Sequence, residues 1–430
     1  MSHFSVLVVT DQEPTDDVLS MALQPFHEFE CTGEDDKYVQ DIDITEKRRV
    51  EYAGSTIRRF KAPDGGLHDP YDDQFYREWT DEELTRANHG GEAPMGTGTA
   101  GGMSYQSKDW GDGRGYRSKV HFVPDGWEEV KFPASEVMSF RDWLESWHDA
   151  KVVRPGEQPD LRKEHKYGYA VVDEAGAVVK IIDRTNPNAK WDWWVVGGRY
   201  GGRLAPGYDP EKDERNYKTC TLCRGTGRRD DPIGQARRLE DPTYTCNGCS
   251  GTGRELKFPT DWVEVGNQAR VGDLDLAALK ATRVAEMREM VEKIRVQAGA
   301  ADFGELDSMR RAYKAAIAAW LALPEPRPRG NEFDEWLKIQ EHGFAAADYH
   351  RADFWDEVQP ADGQTIDDWI EATPALSAFA VLKDGEWFEK GEMGWFACVS
   401  NEKPDWAEQF DKLFAGLRSD QWITFVDCHI

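Results

Sequence analysis

"FSVLVV" (Phe4–Val9) and "WITFVDCHI" (Trp422–Ile430) stand at the two ends of the chain and decide its fold. Both segments are rich in β-branched and aromatic residues and contain neither Gly nor Pro, which is typical of buried strands. Helical and strand patterns alternate between them. A chain that opens and closes with strands and carries helices between them indicates an α+β fold. We therefore expect a mixed or antiparallel sheet core that joins the N- and C-terminal strands, with other segments inserted.

Two hairpins are predicted inside this core. "YGYAVVDEAGAVVKIID" (167–183) places two strand-like runs around the turn signal "DEAG", and "SAFAVLKDGEWF" (377–388) does the same around "DG". The aromatic spacing of "YDDQFYREWTDEELTRA" (Tyr71–Ala87) predicts a helix. Strands and helices of the core are thus predicted in both the N-terminal and the C-terminal half of the chain.

The 430 residues are enough for two or three domains, or for one domain with insertions. Four segments are predicted. Residues 1–215 form the first part of the α+β core and include a Gly-rich loop at 90–118; residues 216–257 form a cysteine-rich insert; residues 270–330 form a helical hairpin; and residues 331–430 complete the core.

The net charge of -27 limits the classes of partner. A uniformly acidic surface repels phosphate, which disfavours broad nucleic-acid or membrane binding and leaves a basic protein partner, imitation of a nucleic acid, or solubility alone. Aromatic residues make up 12% of the chain, so it folds rather than remaining disordered. No apolar run is long enough to span a bilayer and the N-terminus lacks the features of a signal peptide, so we expect a cytoplasmic protein.

The segment from Cys220 to Gly253 contains two copies of the motif C-x-x-C-x-G-x-G. The cysteines are Cys220, Cys223, Cys246 and Cys249. In a reducing compartment, closely paired cysteines favour metal binding over disulfides. Four thiolates complete the tetrahedron that Zn²⁺ adopts in closed structural sites, and the glycines allow turns that bring backbone N–H groups toward the sulfurs. The sequence therefore predicts one structural zinc ion, held in an inserted zinc knuckle that interrupts the core together with the inserted helical pair.

These repeats resemble the cysteine-rich zinc module of DnaJ-type co-chaperones, which carries four copies and binds two ions. The present chain has half that number, which implies one ion. The resemblance covers Cys220–Gly253 alone, and the His-Pro-Asp tripeptide of the J-domain is absent. The resemblance therefore implies a zinc finger of this type, and only the metal site is carried over from it, not client binding or chaperone activity.

The insert is basic within an acidic chain. From Arg215 to Lys257 nine Lys and Arg face five Asp and Glu. An Arg side chain forms paired hydrogen bonds with phosphate and carboxylate alike. The arginines could dock the insert on the acidic body, contact a partner protein or bind nucleic acid; the candidate contact residues are Arg228, Arg229, Arg237 and Arg238.

A tryptophan-rich box, "KWDWWVVGGRYGGRL" (190–204), precedes the insert. In a strand, Trp191 and Trp193 would share one face and Trp194 the other. They could form a stacking platform beside Arg199 that contacts a ligand or partner, or they could fill the core while the glycines make room for them.

Cysteine and histidine residues near both ends raise the possibility of an enzyme. His27, Glu28, Glu30 and Cys31 are close in sequence, and Asp427 and His429 flank Cys428. If the terminal strands pair, these groups could converge. In a regular strand, however, Asp427 and His429 point away from Cys428, which disfavours a local Cys–His pair.

Several segments together resemble a family of uncharacterised proteins encoded by bacteriophages, prophages and some bacteria. They are the "MSHFSVLVV" start, the stretch "HEFECTGEDDKYVQDIDITEKRR" (His27–Arg49), the box "TNPNAKWDWWVVGGRYGG", the stretch "GEMGWFACVS" and the "FVDCHI" end. The resemblance implies a mobile-element context, hence the host cytoplasm, and no mechanism.

We therefore expect a non-enzymatic phage or prophage accessory protein that acts by protein-protein interaction on a host or phage protein, as an inhibitor of a host factor or defence system. Two alternatives remain open. One is a nucleic-acid or nucleotide hydrolase with its site near Trp191 to Arg199. The other is a zinc-dependent nucleic-acid binder that uses the arginines of the insert.

Overall fold

The computed structural model describes residues 2–28, 36–78, 80–82, 104–105, 119–324, 327, 333, 336, 358–361, 363–394 and 398–430. Its strands are β1 (His3–Thr10), β2 (Gln40–Asp43), β3 (Thr56–Lys61), β4 (Leu67–His68), β5 (Tyr76–Glu78), β6 (Ser104–Tyr105), β7 (Lys119–His121), β8 (Glu128–Pro133), β9 (Val152–Val153), β10 (Gly168–Val172), β11 (Val178–Thr185), β12 (Trp193–Val196), β13 (Tyr217–Thr219), β14 (Arg254–Leu256), β15 (Gln268–Arg270), β16 (Ala380–Lys383), β17 (Glu386–Glu389), β18 (Glu392–Met393), β19 (Val399–Ser400) and β20 (Trp422–His429).

The helices are α1 (Asp16–Leu23), α2 (Thr45–Gly54), α3 (Ala134–Val137), α4 (Phe140–His148), α5 (Pro232–Glu240), α6 (Leu276–Ala298), α7 (Phe303–Leu321), α8 (Ile366–Glu371) and α9 (Trp406–Ala415). Contacts divide the chain into two compact units: Met1–Glu28 with Asn188–Ile430, and Phe29–Pro187. These boundaries follow tertiary contacts, whereas the boundaries expected from sequence followed changes of pattern along the chain.

The first unit is built on a six-stranded sheet that contains both terminal strands. β1 and β20 pair antiparallel along their whole length, with His3 opposite His429 and Thr10 opposite Trp422. β1 also pairs in parallel with β16. The strand order is β12-β20-β1-β16-β17, and β15 pairs with the beginning of β20. The sheet is therefore mixed, and it confirms the predicted α+β class with joined terminal strands.

Both faces of the central strands are buried, which fixes their register. On one face, Val6 and Cys428 cluster with Leu19 of α1. On the other face, Phe425 clusters with Phe410 of α9. A slip of one residue would exchange the two faces, so burial on both sides specifies which side chains of β20 lie on which side.

The predicted helical pair corresponds to α6 and α7. α6 is capped at its C-terminus by Gly299, whose φ of +72° suits a residue without Cβ. Val291 of α6, Leu306 of α7 and Ile370 of α8 lie in one apolar cluster. The pair is therefore anchored by its own core.

The second unit contains three small sheets among its described residues, in the orders β2-β11-β10-β9, β4-β3-β8 and β5-β7-β6. β10 and β11 form the predicted hairpin at 167–183. Trp143 of α4 packs in a cluster with Ala170 and Ile181 of this hairpin. The other predicted hairpin also forms, in the first unit, where Asp384 and Gly385 both adopt positive φ between β16 and β17.

The helix predicted over Tyr71–Ala87 is wrong for Tyr71–Glu78, whereas Asp81 and Glu82 are helical. A 3₁₀ turn at Asp73–Phe75 leads into β5, which pairs with β7. Phe75 is fully buried against the ring of Phe60, 4.7 Å between centroids, so tertiary packing and strand pairing outweigh the helical spacing. Residues 83–87 lie outside the described residues, as does the Gly-rich loop at 90–118 except for 104–105.

No helix in the described part of the chain combines the length and the apolar composition that crossing a membrane requires.

Candidate functional site

The four cysteines of the repeated motif form one buried group. The Sγ atoms of Cys220, Cys223, Cys246 and Cys249 all lie within 4.8 Å of one another. The Sγ atoms of Cys220 and Cys246 are 3.8 Å apart, and those of Cys223 and Cys249 are 3.6 Å apart. A tetrahedral zinc ion places its sulfurs about 3.8 Å apart, whereas a disulfide needs about 2.05 Å. The predicted ligands therefore come together in a group that could hold a metal ion.

The two motif copies hold each other by matching backbone hydrogen bonds. The N–H of Cys220 donates to the carbonyl of Gly253, and the N–H of Cys246 donates to the carbonyl of Gly227, each at 2.9 Å. The first cysteine of each copy is thus bonded to the last glycine of the other. The module is a two-fold arrangement in which neither copy is complete alone.

The glycines are required by close backbone approach. A Cβ on Gly227 would collide with the carbonyl of Gly251, and a Cβ on Gly253 would collide with the carbonyl of Gly225. All four have φ between +71° and +87°. Another residue would be strained at any of the four positions, and at Gly227 or Gly253 it would also push the two copies apart.

The glycines also favour the thiolate. Burial acts to raise the pKa of Cys223, but hydrogen bonds from the Gly227 N–H, the Cys249 thiol and the Gly225 N–H outweigh it and lower the pKa to about 7. In the second copy, the N–H of Gly253 donates to Cys249 Sγ at 3.2 Å. Because the thiolate is the form that binds metal, the amides at Cys223 favour binding of a cation there. At Cys220 the amides of Cys223 and Leu222 act in the same direction, but burial and hydrogen bonds with the thiols of Cys223 and Cys246 outweigh them and raise the pKa to about 12.

The charges of the insert pair within it or with its flank. The ion pairs join Arg229 to Asp231, Arg238 to Asp230, Lys218 to Glu255 and Arg254 to Glu214. Among the described residues, Glu214 is the partner outside 216–257 with which a side chain of the insert forms an ion pair, and no ion pair joins the insert to any other part of the chain. The arginines therefore do not dock the insert on the acidic body through ion pairs in that part of the chain.

Part of the insert surface is left open. Arg228 and Arg237, two of the predicted contact residues, make no ion pair with any described residue, and the same holds for Arg224. Between the two knuckles, α5 exposes Leu239 at 88% and Ile233 at 57%. Ile233 and Arg237 line one depression on α5 together with Pro232 and Ala236. We call the exposed side chains of Arg224, Arg228, Ile233, Arg237 and Leu239 together the module surface.

The tryptophan box divides between core and surface. Trp191 is only 5% exposed; it stacks on His27 at 4.5 Å and donates its indole N–H to the carbonyl of Leu23. Trp194 packs against the same core, while Trp193 lies on the opposite face at 36% exposure. Since β12 starts at Trp193, Trp191 and Trp193 do not share a strand face. Burial leaves Trp191 no surface for a ligand or partner.

Beneath Trp193 lie two histidines, each bonded to a carboxylate. Nδ1 of His3 is 2.9 Å from Asp427 Oδ1, and Nδ1 of His429 is 2.7 Å from Asp192 Oδ1. The two imidazole rings are 5.0 Å apart, and the indole of Trp193 stacks on His429. An ionised carboxylate only accepts, so each Nδ1 donates to its carboxylate, and Nε2 is an acceptor in the neutral form of the ring. We call these four residues the histidine–aspartate cluster.

The Gly-Gly-Arg loop after β12 closes on this cluster. Asp427 is fully buried and accepts a hydrogen bond from the Arg199 N–H at 2.9 Å as well as from His3. A Cβ on Gly198 would lie 2.5 Å from Asp427 Oδ2, so a glycine is needed there. The loop and the C-terminal strand, which the sequence presents as separate motifs, are therefore two halves of one structure.

Sequence reasoning named Asp427 and His429 but missed His3 and Asp192. The available signal was the register, because His3 and Trp193 both lie opposite His429. Cys428 lies in the core on the other face, as expected, and burial together with Asp427 raises the pKa of its thiol. Cys428 is therefore no partner for these histidines, and Glu30 and Cys31 lie outside the described residues.

A cavity of about 550 Å³ opens beside the same loop. Arg199, Arg203 and Arg283 line it, together with the aromatic residues Tyr208 and Trp262. Arg203 stands over the ring of Tyr200, 4.9 Å from its centroid. A concave, polar site therefore exists next to the tryptophan box.

Comparison of the chain with protein-family models, with curated proteins and with solved structures gives no match in any of the three.

Proposed function

We propose that the cysteine centre holds one structural zinc ion, and that the module it stabilises is a docking element through which this protein binds a partner protein without catalysing a reaction. The sequence resemblance supports a phage or prophage accessory protein in the host cytoplasm, with a host or phage protein as partner. The observation that carries the proposal is the module surface. Apolar and cationic side chains are left open there on a segment whose core consists of four cysteines.

Zinc is the metal that this donor set favours. Four thiolates in tetrahedral arrangement select zinc or an iron–sulfur cluster, and the sulfur spacing of 3.6 and 3.8 Å fits a single ion. With all four positions filled by protein, no position remains for water or substrate. The ion therefore supplies folding free energy and no chemistry.

The chemistry of the module surface favours a protein over a nucleic acid. Leu239 and Ile233 bring apolar area, which phosphates do not stabilise, while Arg224, Arg228 and Arg237 match carboxylates. The remainder of a chain of net charge -27 repels a polyanion. The complementary partner surface is therefore apolar and carries carboxylates.

The test is recovery of a partner from nuclease-treated host lysate by the tagged full chain. We expect one protein to be retained by the wild type and lost on Ile233→Asp with Leu239→Asp, with unchanged zinc content. Val296→Asp, an equally exposed position on α6, is the matched control and should retain the partner. Loss after nuclease treatment, together with sensitivity to Arg228→Glu and Arg237→Glu, would instead indicate the zinc-dependent nucleic-acid binder.

The histidine–aspartate cluster favours a second candidate, the nucleic-acid or nucleotide hydrolase. Each carboxylate orients an imidazole, so one Nε2 could accept the proton of an attacking water while the second imidazole, protonated, returns one to the leaving oxygen. Nε2 of His429 is buried and has no hydrogen-bond partner among the described residues. That nitrogen is the specific observation in favour of chemistry.

Turnover assays with single-stranded DNA, RNA and nucleotides separate the two candidates. A hydrolase should lose activity on His429→Ala and His3→Ala but keep it on His68→Ala, an exposed histidine of the second unit. Absence of turnover with every substrate, or equal turnover in His429→Ala, would contradict this candidate.

A further inference from the structure

The cavity beside the Gly-Gly-Arg loop is lined by more cationic than anionic side chains. Three cations lining it are paired with carboxylates that also line it. The pairs are Lys212 with Asp209 at 3.0 Å, Arg283 with Glu286 at 2.6 Å and Lys293 with Glu289 at 3.0 Å. Among the described residues, Arg199 and Arg203 make no ion pair, and Glu211 is the remaining carboxylate of the lining.

Arg203 is held where its charge is poorly compensated. Its guanidinium lies over the rings of Tyr200 and Phe425, at 4.9 and 5.8 Å from their centroids, and donates one long hydrogen bond to the Ser377 carbonyl at 3.4 Å. Burial, followed by the like charge of Arg283, lowers the pKa of Arg203 to about 10. A bound anion would offset both effects.

The loop that presents the two arginines is fixed before any ligand arrives. The N–H of Arg199 is bonded to Asp427, and the N–H of Gly202 donates to Asn267 Oδ1 at 2.9 Å. Gly202 has φ +81°, and a Cβ there would lie 2.5 Å from the Tyr208 ring. Arg199 and Arg203 are therefore placed by backbone contacts, and binding would require little reorganisation.

Aromatic side chains with anchored polar ends form another part of the wall. The Tyr208 hydroxyl donates to Asp213 at 2.9 Å, the Tyr217 hydroxyl to the Glu211 carbonyl at 2.8 Å, and the Trp262 indole N–H to the Lys257 carbonyl at 3.0 Å. With their polar atoms engaged, these rings offer apolar area to a planar group.

We propose that this cavity binds a small organic phosphate of mononucleotide size, with the phosphate on Arg199 and Arg203 and the base against the aromatic wall. Two unpaired guanidinium groups match the double negative charge of a phosphate monoester better than the single charge of a carboxylate. The volume of about 550 Å³ lies in the range of ligand pockets. The proposal stands on residues other than the cysteines and the module surface.

Isothermal titration calorimetry on the full-length protein tests it. The probes are AMP, GMP, CMP and UMP, the matching nucleosides, and a short 5′-phosphorylated single-stranded oligonucleotide. We expect at least one nucleotide to bind about tenfold or more tightly than its nucleoside, because the phosphate carries the charge-assisted bonds. Tighter binding of the oligonucleotide than of any free nucleotide would assign the phosphate to a nucleic-acid end.

Variants locate the binding. Arg203→Gln should weaken nucleotide binding about tenfold or more, and Arg199→Gln, whose exposed side chain is not needed for folding, should weaken it less. Arg203→Lys keeps the charge without the fork and should fall between Arg203→Gln and wild type. Arg418→Gln, an exposed control with partners outside the cavity, should bind as wild type.

Two results would overturn the proposal. The first is equal affinity for nucleotide and nucleoside, or no heat from any phosphate-bearing probe at millimolar concentration. The second is unchanged nucleotide binding in both Arg199→Gln and Arg203→Gln when thermal unfolding shows that both variants are folded.

Discussion

The cysteine module and the histidine–aspartate cluster lie in the same unit but are assembled in opposite ways. Every ligand of the module comes from Cys220–Cys249, and its hydrogen bonds join one motif copy to the next. In the cluster, His3 and Asp427 are 424 positions apart and Asp192 and His429 are 237 apart. The module is a local structure built on four cysteines that could hold a metal ion, whereas the cluster exists only when the whole sheet has formed. A substitution that destabilises the cysteine module should therefore unfold the module alone, and one that destabilises the histidine–aspartate cluster should destabilise the whole unit.

The largest effect should follow removal of one thiolate. Cys246→Ser leaves an incomplete tetrahedron, and because the binding free energy of structural zinc is also folding free energy, the module should unfold while the sheet remains. Limited proteolysis should cut within 216–257, and near-UV circular dichroism should otherwise be retained. Cys398→Ser, at an exposed cysteine far from the module in sequence, is the control. Cooperative unfolding of the entire first unit would show that the module is not local.

Asp427→Asn should destabilise the unit as a whole. The buried carboxylate accepts from His3 on one oxygen and from the Arg199 N–H on the other, so an amide, which has a single oxygen, leaves one of these two donors facing its NH2 group. We expect a loss of about 3 kcal/mol in the free energy of unfolding, measured by urea denaturation. Asp420→Asn, an exposed position, should change it little. A small loss of unfolding free energy in Asp427→Asn, with the Gly-Gly-Arg loop unchanged, would show that the position of the loop does not depend on the histidine–aspartate cluster.

A comparison of Gly198 with Gly207 tests the contact between the Gly-Gly-Arg loop and Asp427 of β20. Gly198 and Gly207 both have positive φ, but a Cβ on Gly198 meets Asp427 whereas a Cβ on Gly207 meets nothing within 4 Å. Gly207→Ala should cost about 1 kcal/mol from backbone strain alone, and Gly198→Ala about 1 to 3 kcal/mol more from overpacking. Equal losses in chemical denaturation would contradict the tight closure of the loop on Asp427.

The smallest effect should be a gain in stability, on substitution of Glu28. Burial and then the negative charge of Asp192 raise the pKa of Glu28, so its charged form is disfavoured in the folded protein. A carboxyl with a raised folded pKa costs stability above that pKa and costs nothing below its unfolded value of about 4.3. Glu28→Gln should therefore raise the unfolding temperature slightly at pH 7, and the difference from wild type should vanish below pH 4. A lower unfolding temperature at pH 7 would show that the charge is needed by the neighbouring histidines.

The same contrast explains what the sequence could predict. Some features depend only on residues that are close in sequence, and a single segment is enough to predict them. These are the cysteine ligands, the turn glycines and both hairpins. Tyr71–Glu78 shows the limit of this reasoning, because burial of Phe75 against Phe60 overrides the local helical spacing. His3 and Asp192 could not be assigned because the register of β1, β12 and β20 decides which side chains meet. Arg203 and Arg283 come from segments that only the folded chain brings to one cavity.

Native mass spectrometry of the protein, purified without added metal, measures whether the cysteine centre holds an ion. We expect one zinc ion per chain, retained by wild type and by Cys398→Ser, and lost in Cys220→Ser and Cys246→Ser. A wild-type mass with no bound metal, or zinc that persists after either motif cysteine is replaced, would contradict this expectation.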